Sequence, residues 1–360
     1  MKYGNSRQKQ FYYDTQLIEN VDTFKYLGHV LTNKRNMHVK MTDYLVTQAQ
    51  KALFALQSDT KQALGYITPK LALKMFDTYI LPVLEYNCEL WSSHKPVNNL
   101  EKVQLGYLKN MLGVRRQTSS QAVYSETGRF PLHVRQKFRI INYWIKLEKL
   151  PANNILKKCL NEQKKINTSG NNAWVAKIIH ILNEQYPQRD HLRLANNELE
   201  SIIKTFKSKI YDKCQNTILA EINDSTLQPK LRTYKLFKTD YRLEPYLLLN
   251  LSRKMYNKIA RFRVSSHNLR IETGRHENPI LPAAERLCLK CSMHEIEDEK
   301  HCLIVCPHNK LSREELLKVA NDYIDNFEQL NSEDRFKTIM KSKEPELLKS
   351  LGKFLVNVDA

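Results

Sequence analysis

The chain has 360 residues, with 57 Lys or Arg against 38 Asp or Glu, a formal net charge of +19. Hydrophobic residues make up 42%, enough for a core, and the length suits more than one compact unit. Eighteen Tyr and twelve Phe argue against disorder, and only nine Gly argue against folds built on many tight turns.

Residues 1–10 are polar and basic without an apolar stretch, so a secretory signal is not expected. No run approaches the roughly 20 apolar residues of a membrane span. Seven Cys, an odd number, do not suggest a disulfide framework. The expectation is a reduced intracellular protein, nuclear and/or cytoplasmic, neither secreted nor membrane-bound.

The charge is uneven. Residues 1–150 carry 22 basic and 11 acidic side chains, a net of +11; residues 151–280 carry 23 and 12, again +11; residues 281–360 carry 12 and 15, a net of −3. A basic excess confined to the part before residue 281 points to a polyanionic partner, RNA and/or DNA. The alternative is a solvated basic surface.

Phe11, Tyr13, Leu17 and Ile18, then Val21, Phe24, Tyr26 and Leu27, alternate around a polar Glu19-Asn20 turn. They predict one β-hairpin, closed by Val30-Leu31 and ending at Lys34. From Met37 the period becomes helical: Ala49, Ala52, Leu53, Leu56, Ala63 and Leu64 share a face, and Gly65 stops it. Thr68-Pro69 predicts a capped start for the next helix, and Pro82 breaks or kinks it. Helical patterns then run over 84–91, over 100–112 to Gly113, and from Pro131 to Leu147.

Residues 151–154 read as a joint and Asn161 to Asn172 as a loop. Helices are expected over 173–185, 192–222, 231–238 and 245–262, with 264–285 irregular. A Cys-rich knot spans Cys288 to Cys306. A capping box, Ser312 with Glu315, opens a helix to Leu330, and a last one runs from Pro345 to Val356. The expected fold is mainly α: an N-terminal β-hairpin (1–34), a helical bundle (35–150), a basic helical connector (151–285), a zinc-knuckle-like knot (286–310) and C-terminal helices (311–360).

Cys288-x2-Cys291-x9-His301-x4-Cys306 offers four ligands at a spacing suited to tetrahedral, structural Zn²⁺. Cys302 competes with His301 for the third place, and His294 or His308 also lies within reach. The competing reading is incidental buried thiols. Four of the seven Cys fall within these nineteen residues, which favours the metal. The acidic run Glu295 to Glu299 inside the knot repels phosphate, which favours a folding role.

A second candidate is the stretch Arg253, Lys254, Lys258, Arg261, Arg263, His267, Arg270, Arg275 and His276, with Tyr256 and Phe262 between the cations. Cations fix phosphates and aromatics stack on unpaired bases. The alternative is a solvated face over core aromatics. Arg115, Arg116, Arg129, Arg135, Lys137 and Arg139 form another basic cluster. Trp91, Tyr107, Trp144, Phe76 and Leu108 are expected in the core, His29, His38 and His133 are expected to be incidental, and Cys88, Cys159 and Cys214 are expected to pack.

The blocks Phe24-Lys25-Tyr26-Leu27-Gly28, Ile80 to Tyr86, Leu90-Trp91, Glu101 to Leu105, Leu112-Gly113-Val114, Tyr124 to Leu132, and Arg263 to Arg275 with the knot after it occur in an order that resembles the reverse transcriptases of non-LTR (LINE-type, jockey- or RTE-like) retrotransposons. The resemblance covers about two thirds of the chain, residues 160–250 only loosely. It implies the end of the palm, the thumb and the C-terminal Cys/His segment of an RNA-directed DNA polymerase. It also implies His301 as third zinc ligand, and the thumb cations as contacts to the primer–template backbone.

The family's catalytic carboxylates lie upstream of the Lys-Tyr-Leu-Gly block, and no aromatic-x-Asp-Asp occurs here. Two-metal catalysis needs convergent carboxylates. The expectation is therefore a nucleic-acid-binding fragment, inactive alone, needing Mg²⁺ only if joined to an intact palm. The alternative is a host-recruited helical protein-interaction module.

Overall fold

The computed structural model describes residues 10–33, 37–64, 67–92, 97–168, 174–187, 190–191 and 193–359. Lys34, Gly65, Ala173, Leu192 and residues 169–172, at expected ends or starts of elements, lie outside these. The protein is mainly helical, with four short strands: β1 Phe11–Tyr13, β2 Gln16–Ile18, β3 Thr23–Tyr26 and β4 His29–Thr32. The first ten helices are α1 Met37–Leu64, α2 Pro69–Met75, α3 Leu81–Leu84, α4 Cys88–Trp91, α5 Asn98–Leu112, α6 Ser120–Thr127, α7 Leu132–Glu148, α8 Ile155–Thr168, α9 Trp174–Asn183 and α10 Asn196–Asn223. The rest are α11 Tyr234–Phe237, α12 Arg253–Arg263, α13 Arg270–Thr273, α14 Lys310–Tyr323, α15 Ser332–Lys341 and α16 Pro345–Asn357.

The strands form two antiparallel hairpins, not the single one expected. β1 pairs with β2, Phe11 opposite Ile18; β3 pairs with β4, Thr23 opposite Thr32. The turns fall at Asp14-Thr15 and Leu27-Gly28, where Asp14, Leu27 and Gly28 have φ of 54°, 46° and 80°. Two-residue hairpin turns need left-handed backbone, which Asp and Gly tolerate best. Glu19-Asn20 instead lies in the link between hairpins.

Two compact units emerge. The first comprises Met1–Asp59, Met75–Gln104 and Pro131–Lys213. In it Met41, Leu45 and Ala49 recur every four residues on α1 and are buried. The Met41 Sδ accepts the Val30 amide at 3.3 Å, tying β4 to α1. Pro82 has no amide to donate, and the turn before it widens: the Leu81 amide reaches the Phe76 carbonyl five residues back. α7 packs on α4, α8 and α9 through Ile140, Ile141, Trp144 and Ile145. The loop expected from Asn161 is helical up to Thr168; its polar residues are the solvated side of α8.

The second unit comprises Thr60–Lys74, Leu105–Phe130 and Cys214–Ala360. The Thr68 hydroxyl caps α2 as expected, accepting the Leu71 amide at 3.3 Å. α16 packs against α12 and α14, and Gly352 admits the Met255 side chain, whose Cβ would lie 3.1 Å from an added methyl. Phe237 meets Phe336 edge-on at 6.1 Å, joining α11 to α15.

The helix expected over 245–262 is split. Pro245–Leu247 makes one tight turn, and α12 starts afresh because the Ser252 hydroxyl accepts the Met255 amide at 3.4 Å. The helix expected over 231–238 shrinks to α11, and the stretch read as irregular holds α13. Ser312 is not a cap: α14 already begins at Lys310, and Asn309 spends its amide on the Cys302 carbonyl at 3.1 Å.

Phe76, Trp91, Tyr107, Leu108 and Trp144 are buried as expected. Cys88 is buried and Cys214 half-buried, but Cys159, expected to pack, is exposed on α8.

Candidate metal centre

The knot is built on one backbone clasp. Leu287 bridges Ile296, the Cys288 amide donates to the Glu295 carbonyl at 2.8 Å, and the Glu297 amide donates to the Arg286 carbonyl at 3.0 Å. This places Cys288 and Cys291 on a tight loop. The chain then turns through a wide helical coil at His301–Val305, and the Cys306 amide closes on the His301 carbonyl at 2.7 Å.

The ligand atoms of Cys288, Cys291, His301 and Cys306 all lie within 4.8 Å of one another. The Cys288 and Cys306 sulfurs are 3.9 Å apart, and the Cys291 sulfur is 3.5 Å from His301 Nε2. Nδ1 of the same ring lies 3.1 Å from Glu295 Oε2. That carboxylate orients the imidazole so that Nε2 faces the sulfurs, as partners behind metal-bound histidines do.

Cys302 is not in the cluster: it is buried elsewhere, with its sulfur 3.6 Å from the Asn309 amide. His294 and His308 are exposed. Burial pushes the Cys288 thiol up to about 12, so a metal binding there displaces a proton. The Arg313 guanidinium donates to the carbonyls of Ile304 and Cys306 and holds the last ligand's backbone in place. The arrangement is a Cys3His cluster that can hold a metal ion.

The acidic run beside it also ties the knot to the rest of the second unit. Glu297 and Glu299 face the basic stretch, while Glu295 is exposed behind His301 and Asp298 accepts the His301 amide at 2.8 Å. Glu299 is buried between His267 Nε2 at 2.8 Å, Arg232 at 2.9 Å and the Ser265 hydroxyl at 3.0 Å. Burial raises the Glu299 carboxyl, but His267 and Arg232 outweigh it and hold it down at about 2. Glu297 accepts the Arg270 backbone amide at 2.8 Å. The knot is thereby docked on residues 263–275.

The basic residues do not share one face. Arg263 is 3% exposed and lies in the core, so it is not available to a phosphate. Its guanidinium grips the Glu126 carboxylate at 2.9 and 3.0 Å, Glu244 at 2.8 Å and the Met340 carbonyl at 2.6 Å. Burial opposes the cation, but the two carboxylates keep it charged. Tyr246 completes the cluster, donating to Glu126 at 2.8 Å.

Arg261 is spent on the Gly113 carbonyl, and Lys258 on Asp359 at 2.7 Å. Arg270 pairs with Glu277 at 3.3 Å and Arg275 with Glu272 at 3.2 Å. Arg129 donates to the Leu73 carbonyl at 3.2 Å. Arg135, Lys137 and Arg139 belong to the first unit, paired with Glu85 at 2.9 Å, Glu184 at 2.7 Å and Glu89 at 2.7 Å.

Arg116 and Lys254 are exposed. Arg115 is exposed too, held by the His267 carbonyl at 3.1 Å and the Asn268 amide oxygen at 2.6 Å. Tyr256 and Phe262 are buried rather than offered to bases. Burial and the nearby Lys137 lower His133 to about 4, a packing histidine.

Glu295, Glu126 and Glu244 were not legible as partners. Glu295 lay inside an acidic run read only as repelling phosphate, Glu126 is 137 residues from Arg263, and Glu244 lies before the break that starts α12. No helix among the described residues is long and apolar enough to cross a membrane. Comparison with family models, with curated proteins and with solved structures finds no match.

Proposed function

We propose that this chain is the thumb and Cys/His-knuckle region of a non-LTR retrotransposon reverse transcriptase, holding nucleic acid by its phosphates and taking a structural zinc ion. The observation that carries the reading is the order of the family-like blocks within a chain of net charge +19. Two of those blocks, residues 124–132 and 263–275, meet at the Glu126–Arg263 pair, which supports their acting as one folded piece. Mg²⁺ enters only through a catalytic palm.

Zinc suits the cluster. Two sulfurs about 2.3 Å from a tetrahedral zinc stand about 3.8 Å apart, and a sulfur and an imidazole nitrogen about 3.6 Å. The observed separations are 3.9 and 3.5 Å. Four protein ligands close the site, which makes it a folding device rather than a catalyst.

Binding to a primer–template hybrid across a salt series tests the reading. Affinity that falls steeply with salt supports it, because phosphate binding releases counterions. No binding at low salt refutes it. Primer extension by the chain with dNTPs and Mg²⁺ would contradict the expectation of inactivity alone. A second reading, a protein-interaction module, is favoured by the exposed Phe11, Tyr13, Phe24 and Tyr26 on β1 and β3. Salt-insensitive capture of a protein partner would favour it.

A further inference from the structure

A cavity of about 660 Å³ lies within the second unit, lined by Arg115, Lys230 and His276 and by Thr118, Ser119 and Ser266. None of the residues lining it is acidic. Arg115 is fixed by two neutral oxygens, and among the described residues it forms no ion pair. Lys230 and His276 are exposed and likewise form no ion pair among the described residues. This is unusual here, since most cations in the second unit's basic stretch are matched by carboxylates. The remaining wall includes Leu227, Pro229 and Leu231, which can cover a base or a sugar.

We propose that this cavity binds one phosphorylated nucleotide, its phosphate held by Arg115, Lys230 and His276. The preference for an anion follows from the unmatched cations; the choice of a nucleotide rests on the nucleic-acid reading above. The size falls within the 300–1,000 Å³ or so of small-ligand pockets. Arg115 is preorganised: its amide donates to the Ser266 hydroxyl at 2.9 Å while its guanidinium is tied to the next two residues. The first-turn amides of α6, behind its Ser119 cap, add positive potential at the same wall.

The test is titration of the zinc-loaded chain with AMP and with adenosine at low ionic strength. AMP should bind and adenosine should not. Lys230→Gln and His276→Ala each remove an exposed side chain without an internal ion pair, and each should weaken AMP at least tenfold, the scale of one charge-assisted hydrogen bond. Competition then identifies the source of the phosphate. Displacement of AMP by a 5′-phosphorylated oligonucleotide but not its 5′-hydroxyl form assigns a strand end. Displacement by both assigns internal backbone, and by neither a free nucleotide. AMP that does not bind, or that binds the variants equally, overturns the proposal. Oligonucleotide binding by a chain that does not bind AMP would leave the proposed function standing while the cavity fails. AMP binding without oligonucleotide binding would do the reverse.

Discussion

Arg263 and Glu126 are 137 residues apart in sequence and form a two-pronged ion pair at 2.9 and 3.0 Å, with Glu126 fully buried. The pair sits at a junction. Glu126 lies in the last turn of α6, Arg263 ends α12, and Glu244 arrives on a segment whose amide donates to the Glu126 carbonyl at 3.0 Å. Gly128 makes that approach possible: its φ is +60°, and an added methyl would stand 2.5 Å from the Leu243 nitrogen. Three segments of the second unit are thus locked by one guanidinium.

Removing one partner leaves a buried charge without its counterion, which typically costs about 3–5 kcal/mol. Arg263→Met and Glu126→Gln should each lose about that much in urea unfolding. The double variant should lose less than the sum, because the orphaned charge is gone in both partners. Additive losses would mean that the pair is not coupled.

Glu244 gives the same cluster a pH dependence. Burial raises its carboxyl, but Arg263 and Lys238 prevail and hold it below the ordinary 4.5. A carboxyl depressed on folding stabilises above its unfolded value and loses that contribution as pH falls through the folded value. Stability should therefore drop with acidification below about pH 4.5. Glu244→Gln should remove part of that drop while lowering stability at neutral pH. Denaturation midpoints measured from pH 6 down to 3 would decide, and an unchanged acid limb would exclude Glu244 as a contributor.

How much of this was legible in the sequence depends on distance along the chain. The Cys3His cluster was readable because all four ligands sit within nineteen residues and spacing alone constrains them. Thr68-Pro69 was readable for the same reason. The role of residues 253–276 was not. A run of cations with aromatics between them suggests a face open to phosphate or solvent, whereas Glu126, Glu299 and Asp359 reach it from elsewhere. The split at Ser252 was missed because apolar residues on both sides mimic one continuous helix.

The Cys3His cluster makes its own prediction. Cys288→Ser with Cys291→Ser should abolish zinc uptake, and a chelator should destabilise residues 286–310 in the unsubstituted chain, because structural metal binding is coupled to folding. Glu295→Gln should retain the four ligands but weaken zinc, by about tenfold or more, since the carboxylate no longer orients His301. Competition with a chromophoric chelator reads both. Equal zinc affinity in Glu295→Gln would show that Glu295 is only a surface acid.

The nucleic-acid reading can be separated from the structural cations. Arg116 and Lys254 are exposed and Arg263 is buried, so they should respond differently. If the chain binds phosphates, replacing Arg116 or Lys254 with Ala should leave the urea midpoint unchanged. Where the replaced cation neutralises a phosphate, the plot of log affinity against log salt should also flatten by about one unit. Arg263→Met should instead act through unfolding and leave the salt slope of the folded fraction intact. Slopes unaffected by both surface variants would move the phosphate-binding surface away from α12 and the segment after α5. The unmatched cations of the Arg115 cavity would then be the next to replace.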